Sequence, residues 1–128
     1  MRVLISFFFI ICFSTIQSQS EKEQIISVIQ SVFDGMRAGD SSMVAKAFYE
    51  DIEMKTIFTD KSGNPQFKKS NLQGFLNAVG TPSEKVFDEH IYAYDVQIDD
   101  RLASVWTPYA FYLGSERSHC GVNNFQLF

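Results

Sequence analysis

From residue 25 onward, apolar side chains recur at helical spacing. Ile25, Val28, Ile29, Val32, Phe33 and Met36 are separated by three or one, which lays them along one face of an α-helix. Gly39 supplies the stop and Asp40 the cap of a second helix, because a carboxylate there accepts the orphan backbone N–H groups. Met43, Val44, Ala47 and Phe48 form that helix's apolar face. A joint this short predicts that the two helices pack as a hairpin.

The period then changes to two. Ile52, Met54, Thr56 and Phe58 recur at a period of two, with Glu53 and Lys55 between the first three, and predict a strand, and the turn cluster at 60–65 leads to a short return strand at 66–69. Ser70 and Gln73 resemble a capping box opening a short helix through Leu72, Phe75, Leu76 and Val79. The rest reads as β: a strand at 90–98, a turn at Asp99-Asp100, a long strand at 102–113, a turn at 114–117 and a third strand at 119–128. Helices first and strands afterwards predict an α+β layer fold with the helices on one sheet face.

These turns also predict faces. A turn at Asp99-Asp100 groups His90, Tyr92, Tyr94 and Val96 with Ala103, Val105, Thr107, Tyr109 and Phe111. A four-residue turn at 114–117 groups Trp106, Ala110 and Tyr112 with His119, Gly121, Asn123 and Phe125. A slip of one residue exchanges a whole set. Both faces carry aromatics, so both are expected to be covered, one by helices and pocket and the other by a partner subunit in a homodimer.

The first twenty residues follow another rule. Met1-Arg2 is a positive start, residues 3–13 are apolar apart from Ser6, and Ser14, Thr15, Gln17, Ser18, Gln19 and Ser20 are small or polar. That is a secretory signal peptide, with cleavage expected after Ser20, or after Ser18 as the second choice. The apolar run is about half of what a membrane-crossing helix needs. The expected organisation is a signal peptide at 1–20 and one domain at 21–128, secreted or periplasmic, with no stable membrane anchor after cleavage.

Processing changes the remaining chemistry. It removes Arg2, taking the net charge from −4 to −5, and it removes Cys12, leaving Cys120 alone with no internal disulfide. An acidic chain without a basic stripe is a poor nucleic-acid binder. The chain is 45% hydrophobic with thirteen Phe, enough for a core unaided by disulfides.

Helix hairpin, short strands, small helix and meander together resemble the nuclear transport factor 2-like superfamily, over residues 21–128. The resemblance rests on Phe33-x-x-Met36-x-x-Gly39-Asp40, Ala47-Phe48-Tyr49, Trp106-Thr107-Pro108-Tyr109-Ala110-Phe111-Tyr112 and Ser118-His119-Cys120-Gly121-Val122-Asn123. It looks most similar to the secreted lumazine-binding or polyketide-cyclase-like branch. The resemblance implies N-terminal helices packed in a strongly curved antiparallel sheet, a cone-like α+β barrel with a pocket at its open end. It also implies a further strand beyond Phe128. The superfamily includes isomerases, dehydratases, cyclases and binding proteins without catalysis, so fold alone does not give function.

The candidate pocket residues are Trp106, Tyr109, Tyr112, His119 and Asn123, aromatics with a few polar tips. His119 is the candidate general base; His90 reads as a core or rim histidine. Isomerase-type chemistry needs a pocket carboxylate and a hydrogen-bond donor, for which Asp88, Asp95 and Glu53 and the tyrosines Tyr92, Tyr94, Tyr109 and Tyr112 qualify by type. Adjacent strand residues point apart, so His119 and Cys120 do not make a metal pair, and no cofactor motif is present. Arg117 is the one cation close in sequence to Cys120. The expected function is binding of a small molecule without catalysis. The alternatives are a cofactor-free isomerase, cyclase or dehydratase, and a dimerisation module.

Overall fold

A computed structural model describes residues 10–128. Helix α1 spans Ile10–Ala38, and α2 spans Ser41–Ala45. Strands β1 (Met54–Thr59) and β2 (Pro65–Ser70) precede helix α3 (Leu72–Gly80). Strands β3 (Phe87–Ile91), β4 (Asp95–Asp99), β5 (Leu102–Leu113) and β6 (Glu116–Leu127) complete the chain. Of the expected signal peptide, residues 1–9 lie outside the described residues, and 10–20 form the start of α1. No helix among the described residues is long and apolar enough to cross a membrane.

The corner between α1 and α2 is built from two adjacent residues. Gly39 takes a left-handed φ of 66°, its N–H donates to the Met36 carbonyl, and the Asp40 N–H donates to the Gly35 carbonyl. This double closure satisfies the last carbonyls of α1. The Asp40 carboxylate then accepts from the N–H groups of Ser42 and Met43, capping α2 at once. Gly35 lets the helices touch: a Cβ there would sit 2.7 Å from Val44 Cγ2. Helix α2 is shorter than its apolar pattern suggests, yet Ala47 and Phe48 still pack against the core. Helix α3 is capped by Asn71, whose Oδ1 accepts from the Gly74 N–H at 2.8 Å, and not by the expected Ser70 box. Gln73 bonds Asn77 instead.

Strand β5 is the axis of the main sheet. Strands β3 and β4 share one of its edges, and β6 runs along the other. β1 and β2 pair only with each other, and the two sheets do not close into the expected barrel. The single strand predicted at 90–98 is in fact two, interrupted between Ile91 and Asp95. The interruption shifts the register: His90 pairs with Ala110, whereas Asp95 pairs with Trp106. His90 therefore joins the face of Ala110, and Glu89 joins that of Phe111. At the other end, the turn is Gly114-Ser115, and an irregularity between Phe111 and Tyr112 adds one residue to β6. His119, Gly121, Asn123 and Phe125 consequently pair with Phe111, Tyr109, Thr107 and Val105, the face opposite to the one expected.

The core lies between that sheet face and the helices. Ile29, Val32, Phe33 and Met36 of α1 meet Val44, Val79 and Val105, with Val96, Phe111, Phe125 and Leu127 packed around them. Phe33 meets Phe125 edge-on, with centroids 6.0 Å apart. Among the residues whose burial is described, every member of this cluster lies at or after Ile25.

Candidate functional site

The five expected pocket residues divide between the two faces. Tyr109, His119 and Asn123 lie on the helix-facing side of the sheet, and Trp106 and Tyr112 on the outer side. His90 and His119 stand on opposite faces, as expected, but each on the side assigned to the other.

On the helix-facing side, a residue not singled out in the sequence occupies the centre. Glu89 of β3 reaches across β5, and the Asn123 side-chain amide of β6 donates to its Oε1 at 2.5 Å. Burial pushes the Glu89 carboxyl above the usual range, against the opposing effect of the Asn123 hydrogen bond. Tyr109 is raised too, first by burial and then by the negative charge of Glu89. Its ring lies against β6 because Gly121 has no side chain: a Cβ there would come within 2.9 Å of the phenol oxygen. Thr107, paired with Asn123, is fully buried, and its Oγ1 has no hydrogen-bond partner among the described residues. His119 is exposed and packs its ring against Tyr109 (5.8 Å) and Phe111 (5.1 Å).

Beside Glu89 opens a groove of about 590 Å³ between α1 and β3, lined by Gln30, Phe33, Arg37, Ile91 and Tyr94 among others. Its rim is a chain of charges. Arg37 donates to Asp34 at 2.9 Å and to Asp88 at 2.8 Å, and His90 bonds the other Asp88 oxygen at 2.8 Å. Burial alone would raise the Asp88 carboxyl, but the bonds from Arg37 and His90 outweigh it and hold it below its ordinary value.

Of the three carboxylates expected from the sequence, only Asp88 reaches the rim of this groove. Asp88 is held by Arg37 and His90, Asp95 is on the outer face beside Trp106, and Glu53 is paired with Lys55 and Lys69. Tyr92 is exposed, whereas Tyr94 packs against the core. Cys120 is exposed on the outer face, and its nearby thiol raises the Arg117 guanidinium. Among the described residues no three His, Cys, Asp or Glu side chains converge as a metal site would require. The signal for Glu89 was the Tyr92-Ala93-Tyr94 segment: a strand break there reverses which of residues 89 and 90 faces the helices.

The chain is similar in structure to an NTF2-like protein of unknown function from Shewanella baltica OS155, with a TM-score of 0.53 at 14% identity, over 84% of this chain and 94% of that one. No protein-family model matches the chain, and no curated protein matches it. At this identity the similarity carries the fold: helices against an antiparallel sheet in the nuclear transport factor 2-like arrangement. The similarity does not extend to the lumazine-binding branch.

Proposed function

Taking the nuclear transport factor 2-like fold as the premise, we propose that the domain is exported and binds a small molecule without catalysis, in the groove between α1 and β3, with Glu89 as the polar anchor. The observation that carries this reading is a partly buried carboxyl, raised by burial and bonded to an amide rather than to a cation, at the side of a groove large enough for a ligand. A carboxyl held in its neutral form over a wider pH range both donates and accepts, which suits a ligand hydroxyl or carbonyl. Phe33, Ile91 and Tyr94 supply the apolar wall. The bound species is then a small molecule with an apolar ring and at least one oxygen.

A second reading has one observation in its favour. Glu89 and Tyr109 share one sheet face, where the Glu89 charge helps raise the phenol, and a raised carboxyl and a phenol on one face are a base and donor pair for proton transfer. A cofactor-free isomerase, cyclase or dehydratase would use Glu89 in place of His119.

A thermal-shift screen of hydroxylated and carbonyl-bearing aromatic compounds tests the binding reading, because a ligand that prefers the folded state raises the melting temperature. A compound that stabilises the wild type but not Glu89→Gln supports it. Stabilisation unchanged by Glu89→Gln, or none across the screen, refutes it. Turnover of a stabilising compound, lost in Glu89→Gln, moves the assignment to the catalytic reading. Export has its own test: the secreted protein should begin at Glu21 or Gln19 by intact mass, and retention of residues 1–18 would refute the leader.

A further inference from the structure

The outer face of the sheet carries a second surface with its own chemistry. Register sets six side chains in two adjacent rungs across β4, β5 and β6: Asp95, Trp106 and Asn124 in one, Gln97, Ser104 and Gln126 in the next. Trp106 is 52% exposed at the centre of this patch. Its neighbours are three amides, one hydroxyl and one carboxylate. Ser104 Oγ donates to Asn124 Oδ1 at 3.1 Å, which fixes the orientation of that amide on the sheet. A shallow depression of about 250 Å³ opens beside the indole, lined by Asp95, Gln97, Ser104 and Trp106.

An exposed indole ringed by planar hydrogen-bonding groups asks for a ligand with a flat apolar face and a polar circumference. We infer that this patch is a saccharide platform, on which a hexopyranose ring lies against the Trp106 indole while Asp95, Gln97 and Asn124 bond its hydroxyls. The axial C–H face of a pyranose is apolar and weakly positive, and the face of an aromatic ring is negative. Each sugar hydroxyl both donates and accepts. The amides of Gln97, Asn124 and Gln126 match both roles, and the Asp95 carboxylate is the stronger acceptor.

Other ligand classes fit less of the patch. A purely apolar molecule would cover Trp106 and strand its five polar neighbours. An anionic ligand would meet Asp95. A quaternary ammonium would use Trp106 and Asp95 and leave the amides and Ser104 without a role. The depression is below the range of about 300–1,000 Å³ typical of drug-sized sites, which suits one sugar ring at a time. The patch lies on the opposite sheet face from Glu89, so it stands or falls independently of the groove.

Trp106 is the only tryptophan of the chain, so its emission reads this patch and nothing else. The exported protein is titrated with cellohexaose, maltohexaose, mannohexaose and chitohexaose. The expected result is a saturable emission change with one series, with a dissociation constant on the order of 1 mM or below. By calorimetry, Trp106→Ala and Gln97→Ala should each weaken that sugar at least about tenfold. Their melting temperatures should stay close to wild type, since both side chains are exposed. Trp106→Phe, which keeps a smaller aromatic face, should retain part of the affinity.

Three results would overturn the inference. One is no emission change with any of the four oligosaccharides. Another is a saturable change with tetramethylammonium and none with sugars. The third is shielding of Trp106 from iodide that grows with protein concentration, which would show the face covered by a second copy in the sheet-mediated homodimer expected from the sequence.

Discussion

Replacing Gly35 by alanine sets two effects of opposite sign against each other. Gly35 sits in α1, where alanine is favoured over glycine by about 1 kcal/mol in a helix interior. The new methyl, however, would lie 2.7 Å from Val44 Cγ2, 3.1 Å from the Val44 backbone nitrogen and 3.2 Å from the Asp40 carbonyl oxygen. Val44 is fully buried, and the other two contacts are backbone atoms of the corner itself. Relief therefore requires α2 to move away from α1. Overpacking of this kind costs about 1–3 kcal/mol, and rigid neighbours place it in the upper part of that range. The net expectation is a destabilisation of about 1–2 kcal/mol. For a domain of this size that lowers the melting temperature by roughly 4–8 °C. Thermal unfolding followed by far-UV circular dichroism reads it directly. A double-mutant cycle with Val44→Ala adds a stricter check: the pair should cost about 1 kcal/mol less than the sum of the single changes, because Cγ2 is the closest clash. A Gly35→Ala protein that melts higher than wild type would refute the reasoning, since helix propensity would then outweigh a contact between α1 and α2 that must be loose.

Two further expectations follow from the sites described above. Glu89 has a folded pKa above its unfolded value, so its ionisation disfavours the folded state. Stability is lost as pH rises from the ordinary glutamate value through the raised one, and the loss persists at neutral pH. Glu89→Gln should therefore raise the melting temperature at pH 7 and leave it nearly unchanged in acid below the ordinary glutamate value; equal effects at both would contradict the burial argument. Asn71→Ala should cost about 1 kcal/mol by removing the cap of α3, whereas Ser70→Ala should be nearly neutral, and denaturant unfolding of the two variants distinguishes the caps.

The parts of the fold that could be read from the sequence are those with local causes. Gly39 and Asp40 fix the α1–α2 corner through their own backbone and side-chain bonds, and the apolar stripe from Ile25 to Met36 needs only a period of 3.6. Strand β5 matched its expected span, 102–113, because Val105, Trp106, Thr107, Tyr109, Phe111 and Tyr112 favour strands strongly enough to outweigh Pro108. The faces of the sheet were not legible, because each depends on counting residues through an irregularity. The break between Ile91 and Asp95 and the extra residue in β6 opposite Phe111 and Tyr112 each shift pairing by one. Those two shifts moved Glu89 to the helix side and carried Asn123 to meet it. Tyr109, His119 and Asn123 were named from residue type and do share the helix-facing side, while the placing of Glu89 there depended on a register that no local pattern encodes.

The self-contained pairing of β1 with β2 has a consequence for how the molecule opens. All twelve of their residues are exposed except Met54, which is partly exposed, and the hairpin donates no strand to the main sheet. Its amide protons should exchange with solvent through a local opening that leaves the rest intact, whereas those of β5, bonded along both edges, should await unfolding of the whole domain. The described residues are therefore expected to separate into two cooperative units of very different protection. A protease that finds the Asp60–Asn64 loop should nick the first while the second remains folded.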